Sequence, residues 1–122
     1  MARYENLPIF AKAMKLVVLL EESVRQFSRY HKYSIGKDLR ESARSLVDLV
    51  LVSNSKTDKV PHLEQLRDQA EKMKVTLVIA KEIKAFKNFR QFELAAQVAI
   101  EIAKQSEGWL KSQRKAGLNP KK

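Results

Sequence analysis

Apolar residues recur along this chain at helical intervals. Phe10, Val17, Leu20, Val24 and Phe27 follow one another at spacings of 7, 3, 4 and 3, and Leu39, Ala43, Leu46 and Val50 at 4, 3 and 4. Leu63, Leu66, Ala70, Met73, Leu77 and Ala80 alternate steps of 3 and 4, as do Phe92, Ala95, Ala99, Ile102, Ser106 and Trp109, with one polar lapse at Ser106. Such spacing lines one face of a helix, and no segment sustains the two-residue alternation of a strand. The pattern predicts four helices, over about 8–27, 35–54, 60–86 and 89–115, with a basic tail at 116–122. The punctuation agrees. Asn6 is placed to cap the first helix, with Pro8 in its opening turn. Ser34 is placed to cap the second. Asp58 precedes Pro61 at the start of the third, and Asn88 with Gln91 reads as a capping box for the fourth. Gly117 reads as a helix stop, with Pro120 after it. The links are short, so successive helices are expected to run antiparallel. The fold class is all-α: an up-down-up-down antiparallel four-helix bundle forming a single domain over 1–122.

One apolar stripe per helix is enough for a four-helix monomer, and this chain has more. Leu16–Leu20 is continuously apolar, Leu46–Val52 is broken only by Asp48, and Thr76–Ala80 has no charge. Between Leu94 and Ala103 only Gln97 and Glu101 are polar. The surplus predicts a homo-oligomer, with Leu94, Ala95, Val98, Ala99 and Ile102 at the interface and alanines allowing close helix approach. Asp48, inside an apolar run, is expected to pair with a cation there.

Composition narrows the function. The chain has 122 residues, one domain's worth, with 24 Lys and Arg against 14 Asp and Glu, a net charge of +10. Cysteine is absent, which excludes disulfides and thiolate sites, and the two histidines, His31 and His62, stand far apart. No metal or other cofactor is expected. No run of apolar residues is long enough to cross a membrane. The opening MARYENLPIF lacks the apolar core of a secretory signal, so a cytoplasmic location is expected. The acids are scattered, and there is neither a nucleophile elbow nor a phosphate-cradling glycine loop. Arg25 and His31 have the spacing of the motif of small helical HEPN ribonucleases, but a chain with this many arginines produces such a pair by chance. The chain reads as a non-enzyme.

The positive charge is concentrated. In an up-down bundle the first and third connections share one end. Residues 25–40 carry Arg25, Arg29, Lys32, Lys37 and Arg40 against Asp38, and residues 81–90 carry Lys81, Lys84, Lys87 and Arg90 against Glu82. Arg44 extends the face of Lys37 and Arg40, and Lys84 and Lys87 are expected to continue the seam of the third helix beyond Ala80. The loop Phe27-Ser-Arg-Tyr-His-Lys-Tyr33 interleaves rings with cations. Its rings either stack on exposed bases or fold back on the core. Cations attract phosphate without regard to sequence. Candidate nucleic-acid contacts are therefore Arg25, Arg29, His31, Lys32, Lys37, Arg40, Arg44, Lys81, Lys84, Lys87 and Arg90. A basic tail, from Lys111 to Lys122, adds charge elsewhere.

The segment Ser28-Arg-Tyr-His-Lys-Tyr-Ser-Ile-Gly36, with Leu39 following, and the later Gly108-Trp-Leu-Lys111 sit on this four-helix spacing over roughly residues 8–115. Together they resemble the four-helix-bundle family of Avd, the accessory proteins of diversity-generating retroelements. That family also takes in proteins encoded by intervening sequences of bacterial large-subunit ribosomal RNA genes. The resemblance implies a basic, barrel-like homopentamer that partners a reverse transcriptase and binds RNA or DNA during mutagenic, template-RNA-directed cDNA synthesis. It transfers no catalytic residue, only the loop positions Arg29, His31 and Lys32. The alternatives are an intervening-sequence-type bundle protein of unknown role and a scaffold that binds an acidic protein. Attachment to a membrane surface lacks the required basic helix face opposite large exposed aromatics.

Overall fold

A computed structural model describes residues 3–118. A short 3-10 turn, Tyr4–Asn6, leads into α1 (Pro8–Arg25), α2 (Arg29–Lys32), α3 (Ile35–Ser55), α4 (Val60–Glu82) and α5 (Phe89–Leu118). The four long helices close a ring in which α1 packs on α3 and α5, and α4 packs on the same two. This is a four-helix bundle, and among the described residues there is no strand. The predicted stripes converge at its centre. Leu16 and Leu20 of α1, Leu39 and Leu46 of α3, Leu63, Met73 and Leu77 of α4, and Ile102 and Leu110 of α5 are fully buried. Each such side chain contributes about 1.5–3 kcal/mol by leaving water.

The helix ends depart from expectation in instructive ways. Asn6 does not cap α1. It belongs to the 3-10 turn, and the backbone carbonyl of Leu7 opens the helix by accepting from Phe10 N at 3.0 Å. Ser34 precedes α3 but does not cap it with its side chain; its hydroxyl donates to Tyr30 O at 3.0 Å and so serves the end of α2. That one-turn α2 replaces the expected loop: Ser28 O accepts from both His31 N and Lys32 N, at 3.0 and 2.9 Å. Asp58 Oδ1 accepts from Val60 N at 3.3 Å. Asn88 Oδ1 accepts from Gln91 N at 3.0 Å as expected, but the Gln91 amide reaches Gln26 Oε1 at 2.9 Å instead of completing a box. Gly117 does not stop α5, which runs to Leu118, and Pro120 with the rest of the tail lies outside the described residues.

The third predicted helix ends four residues early. Ala85 N donates to Ala80 O at 2.9 Å and Lys84 N to Lys81 O at 3.0 Å, the paired bonds of a Schellman stop. Lys84 takes the left-handed conformation (φ 62°) where such a motif ordinarily has glycine, and Ala85 is buried, as is Ala80. Lys84 and Lys87 therefore lie in the α4–α5 connection and do not extend the α4 seam.

The expected oligomer face is also corrected. Ala95, Val98, Ala99 and Ile102 are buried inside the protomer, and Leu94 is half-buried. The reason is that α5 packs against α4 on one side and α1 on the other, so its apolar arc serves two neighbours of the same chain. Asp48 is exposed and has no ion pair among the described residues. Surplus apolar surface remains, on other residues: Met14 and Val18 on α1, Ile100 on α5, and Val75, Val78, Ile79 and Ile83 along the outer side of α4.

Candidate nucleic-acid interface

The connections α1–α3 and α4–α5 meet at one end of the bundle. The Phe27 and Phe86 rings stand edge to face at 5.3 Å between centroids, and the Gln91–Gln26 hydrogen bond ties the start of α5 to the end of α1. Phe27 is buried and anchors the first connection. Gly36, in the first turn of α3, lets that turn pack close to both α1 and α2: a Cβ on it would stand 2.7 Å from Val24 Cγ1 and 3.0 Å from His31 O. The backbone of residues 28–34 is thereby held against the bundle, and its outward side chains become a fixed surface.

The predicted cations fall at this end except Arg44, which lies near the middle of α3, and they are not in one state. Arg40 and Arg44 share the Glu21 carboxylate of α1, at 3.8 and 2.6 Å. Lys37 pairs with Glu41 at 3.5 Å, Arg90 with Glu93 at 3.0 Å and Lys81 with Glu82 at 3.2 Å. Arg25, Arg29, Lys32, Lys84 and Lys87 have no ion pair among the described residues. Exposed pairs contribute at most about 1 kcal/mol and exchange readily for another anion, so the paired cations still add to the field. The rings divide as well. Phe27 went into the core, whereas Tyr30 is 83% exposed and Tyr33 68%. His31 lies edge to face against Tyr30, 5.1 Å between centroids.

Two bays of similar size open here. One, of about 200 Å³, is lined by Arg25, Lys32, Tyr33 and Arg40 with Glu21 and Val24. Arg40 Nε is buried in the protein without a hydrogen-bond partner. Three cations around one carboxylate, with a spare guanidinium N–H, suit an oxyanion such as phosphate. The second bay, of about 190 Å³, is lined by Lys81, Lys84, Phe86, Asn88, Phe89 and Phe92. Lys81 Nζ sits 5.1 Å from the centroid of the Phe92 ring.

Sequence reasoning missed the phenylalanines of this second bay. The signal was present: Lys84, Lys87 and Arg90 and Phe86, Phe89 and Phe92 each repeat every third residue, offset by two, so rings and cations alternate through the connection. Arg25 lines the first bay together with Glu21, whereas His31, half-buried beside Tyr30, is not among the residues that line it. Among the described residues no three His, Asp or Glu side chains gather as metal ligands, and no helix is long and apolar enough to cross a membrane. No family model matches the chain, and no curated protein matches it.

Proposed function

We propose that this chain is a non-enzymatic nucleic-acid-binding protein whose basic end grips the sugar–phosphate backbone of RNA or DNA. The observation that carries the reading is the group Arg25, Arg29, Lys32, Lys84 and Lys87. These cations are gathered at one end without carboxylate partners among the described residues, and exposed Tyr30 and Tyr33 lie between them. Through the resemblance of Ser28–Gly36 and Gly108–Lys111, the proposal extends to an accessory role beside the reverse transcriptase of a diversity-generating retroelement, holding template RNA or its cDNA near the enzyme. The protein acts as a homo-oligomer, a pentamer on that resemblance, in which copies cover the Val75, Val78, Ile79 and Ile83 stripe of α4 and multiply the positive ends. No step is catalysed by the protein itself.

The test is fluorescence anisotropy of labelled RNA across a salt series. Affinity should fall steeply, the logarithm of the binding constant dropping by roughly 0.7–0.9 per released phosphate counterion for each decade of salt. Little dependence on base sequence is expected. An affinity indifferent to salt, or no binding at low salt, overturns the reading. A protein scaffold is the second reading, favoured by the exposed α4 stripe. It predicts capture of an acidic protein partner with RNA unbound. Sedimentation gives the copy number, and a monomer at micromolar concentration removes the oligomer from the proposal.

A further inference from the structure

The second bay at the basic end has a shape that phosphate attraction alone does not call for. Four phenylalanines run in ring contact from the core to the surface, the inner two contacts edge to face and the outermost tilted. Phe27 meets Phe86 at 5.3 Å, Phe86 meets Phe92 at 6.0 Å, and Phe92 meets Phe89 at 5.6 Å. Phe27 is buried and Phe86 and Phe92 are half-buried, while Phe89 is left 62% exposed. The inner three rings hold the outer one in place, so Phe89 is a supported shelf and not a loose side chain. Lys81 and Lys84 line the same bay, and Lys87 lies between Phe86 and Phe89 in the connection. Asn88 uses its carbonyl oxygen to receive Gln91 N, and its amide N–H groups have no partner among the described residues.

Lys84 adds a separate observation. It is the one non-glycine residue with positive φ among those described, at the position of the α4 stop where glycine fits with least strain. The fold thus keeps a strained lysine at the rim of an aromatic bay. Strain retained at a surface position is a pointer to use.

We propose that the Phe89 shelf receives an unpaired nucleobase by stacking, while Lys84 and Lys87 hold the flanking phosphates, so that the protein prefers single-stranded to double-stranded nucleic acid. This rests on the nucleic-acid reading above and gives it a substrate class. In a duplex each base face is already covered by its neighbours, so the shelf gains nothing; in a single strand every base has a free face for the ring. The bay's cations oppose an apolar peptide and complement a chain that alternates flat rings with phosphates.

The test compares an oligoadenylate single strand, an abasic strand of equal length and the corresponding duplex, each against wild type, Phe89→Ala and Phe89→Trp. Wild type should bind the oligoadenylate roughly tenfold more tightly than the abasic strand. Phe89→Ala should abolish that difference and leave duplex affinity unchanged, and Phe89→Trp should retain it. Because Phe89 is exposed, thermal melting of both variants should match wild type, which separates a lost shelf from a lost fold. Lys84→Gly should melt higher than wild type yet bind every strand more weakly. If wild type binds all three polyanions equally and Phe89→Ala changes none of them, the shelf is refuted while phosphate binding stands. If wild type binds none, the broader reading falls first.

Discussion

The two ends of the bundle use similar residues for different purposes. At the end where α3 hands over to α4, a lysine is absorbed into structure: Lys59 Nζ donates to Asn54 O at 2.9 Å and Lys56 O at 2.7 Å, with Ser53 O at 3.3 Å. It satisfies the last carbonyls of α3 and meets the negative end of its dipole. Nearby, Arg114 bridges α5 to Glu64 of α4 at 2.8 Å. At the opposite end, Arg25, Arg29, Lys32, Lys84 and Lys87 bridge nothing among the described residues, and Tyr30, Tyr33 and Phe89 stand out in solvent. The contrast teaches that cation count alone does not mark an interface. Nor does the lack of an ion pair alone, since Lys56, Lys111 and Lys115 at the first end are unpaired among the described residues too; what marks the interface is unpaired cations set among the exposed rings of Tyr30, Tyr33 and Phe89.

The comparison breaks most visibly under charge reversal. Lys84→Glu with Lys87→Glu should weaken RNA binding by about tenfold or more for all sequences alike and lower the salt slope by about 1–2. Lys111→Glu with Lys115→Glu, at the other end, should leave both nearly unchanged; anisotropy titrations decide between them. Glycine substitutions sharpen it next. Gly36→Ala forces a Cβ into Val24 and the His31 carbonyl and should cost about 1–3 kcal/mol by urea unfolding. Gly108→Ala meets nothing within 4 Å on an exposed turn of α5 and should add about 0.5–1 kcal/mol. Lys59→Met should cost about 1–3 kcal/mol of stability without changing RNA affinity, because its ammonium serves carbonyls.

The smallest effect is on acid stability. Glu101 is held below the ordinary carboxylate range, chiefly by its hydrogen bond from Lys12 of α1 at 2.6 Å and then by the attraction of that charge. The folded carboxyl binds its proton at lower pH than the unfolded one. Its contribution is therefore complete above the ordinary Glu range and is lost as pH falls through the lowered value. Glu101→Gln should remove a small part of the acid sensitivity seen in melts across that range, and the pair lies away from the basic end, so RNA affinity should not follow.

Much of the bundle was legible because periodicity registers burial directly. Leu63, Leu66, Ala70, Met73, Leu77 and Ala80 were predicted as one stripe, and all are buried. The meeting of the first and third connections followed from topology, and Phe27 against Phe86 bears it out. The end of α4 was illegible because its Schellman stop has lysine where glycine would have signalled it. The α2 turn was too short to show a period. The apolar richness of Leu94–Ala103 reads as surplus in the sequence, although a helix with two neighbours in its own chain needs a wide arc. For the candidate site, charge placement was readable, but pairing was not. Nothing in the sequence shows that Arg40 and Arg44 reach one carboxylate, Glu21, across to α1. The alternation of lysine and phenylalanine from Lys84 to Phe92 was there to be read, yet only the fold shows Phe89 left outside.

The most direct test is lysine footprinting by acetylation and mass spectrometry, with and without bound RNA. The account predicts protection of Lys32, Lys84 and Lys87, while Lys56, Lys111 and Lys115 react as in the free protein. Protection centred on Lys111 and Lys115, or an unchanged pattern under conditions where RNA is bound, would contradict it.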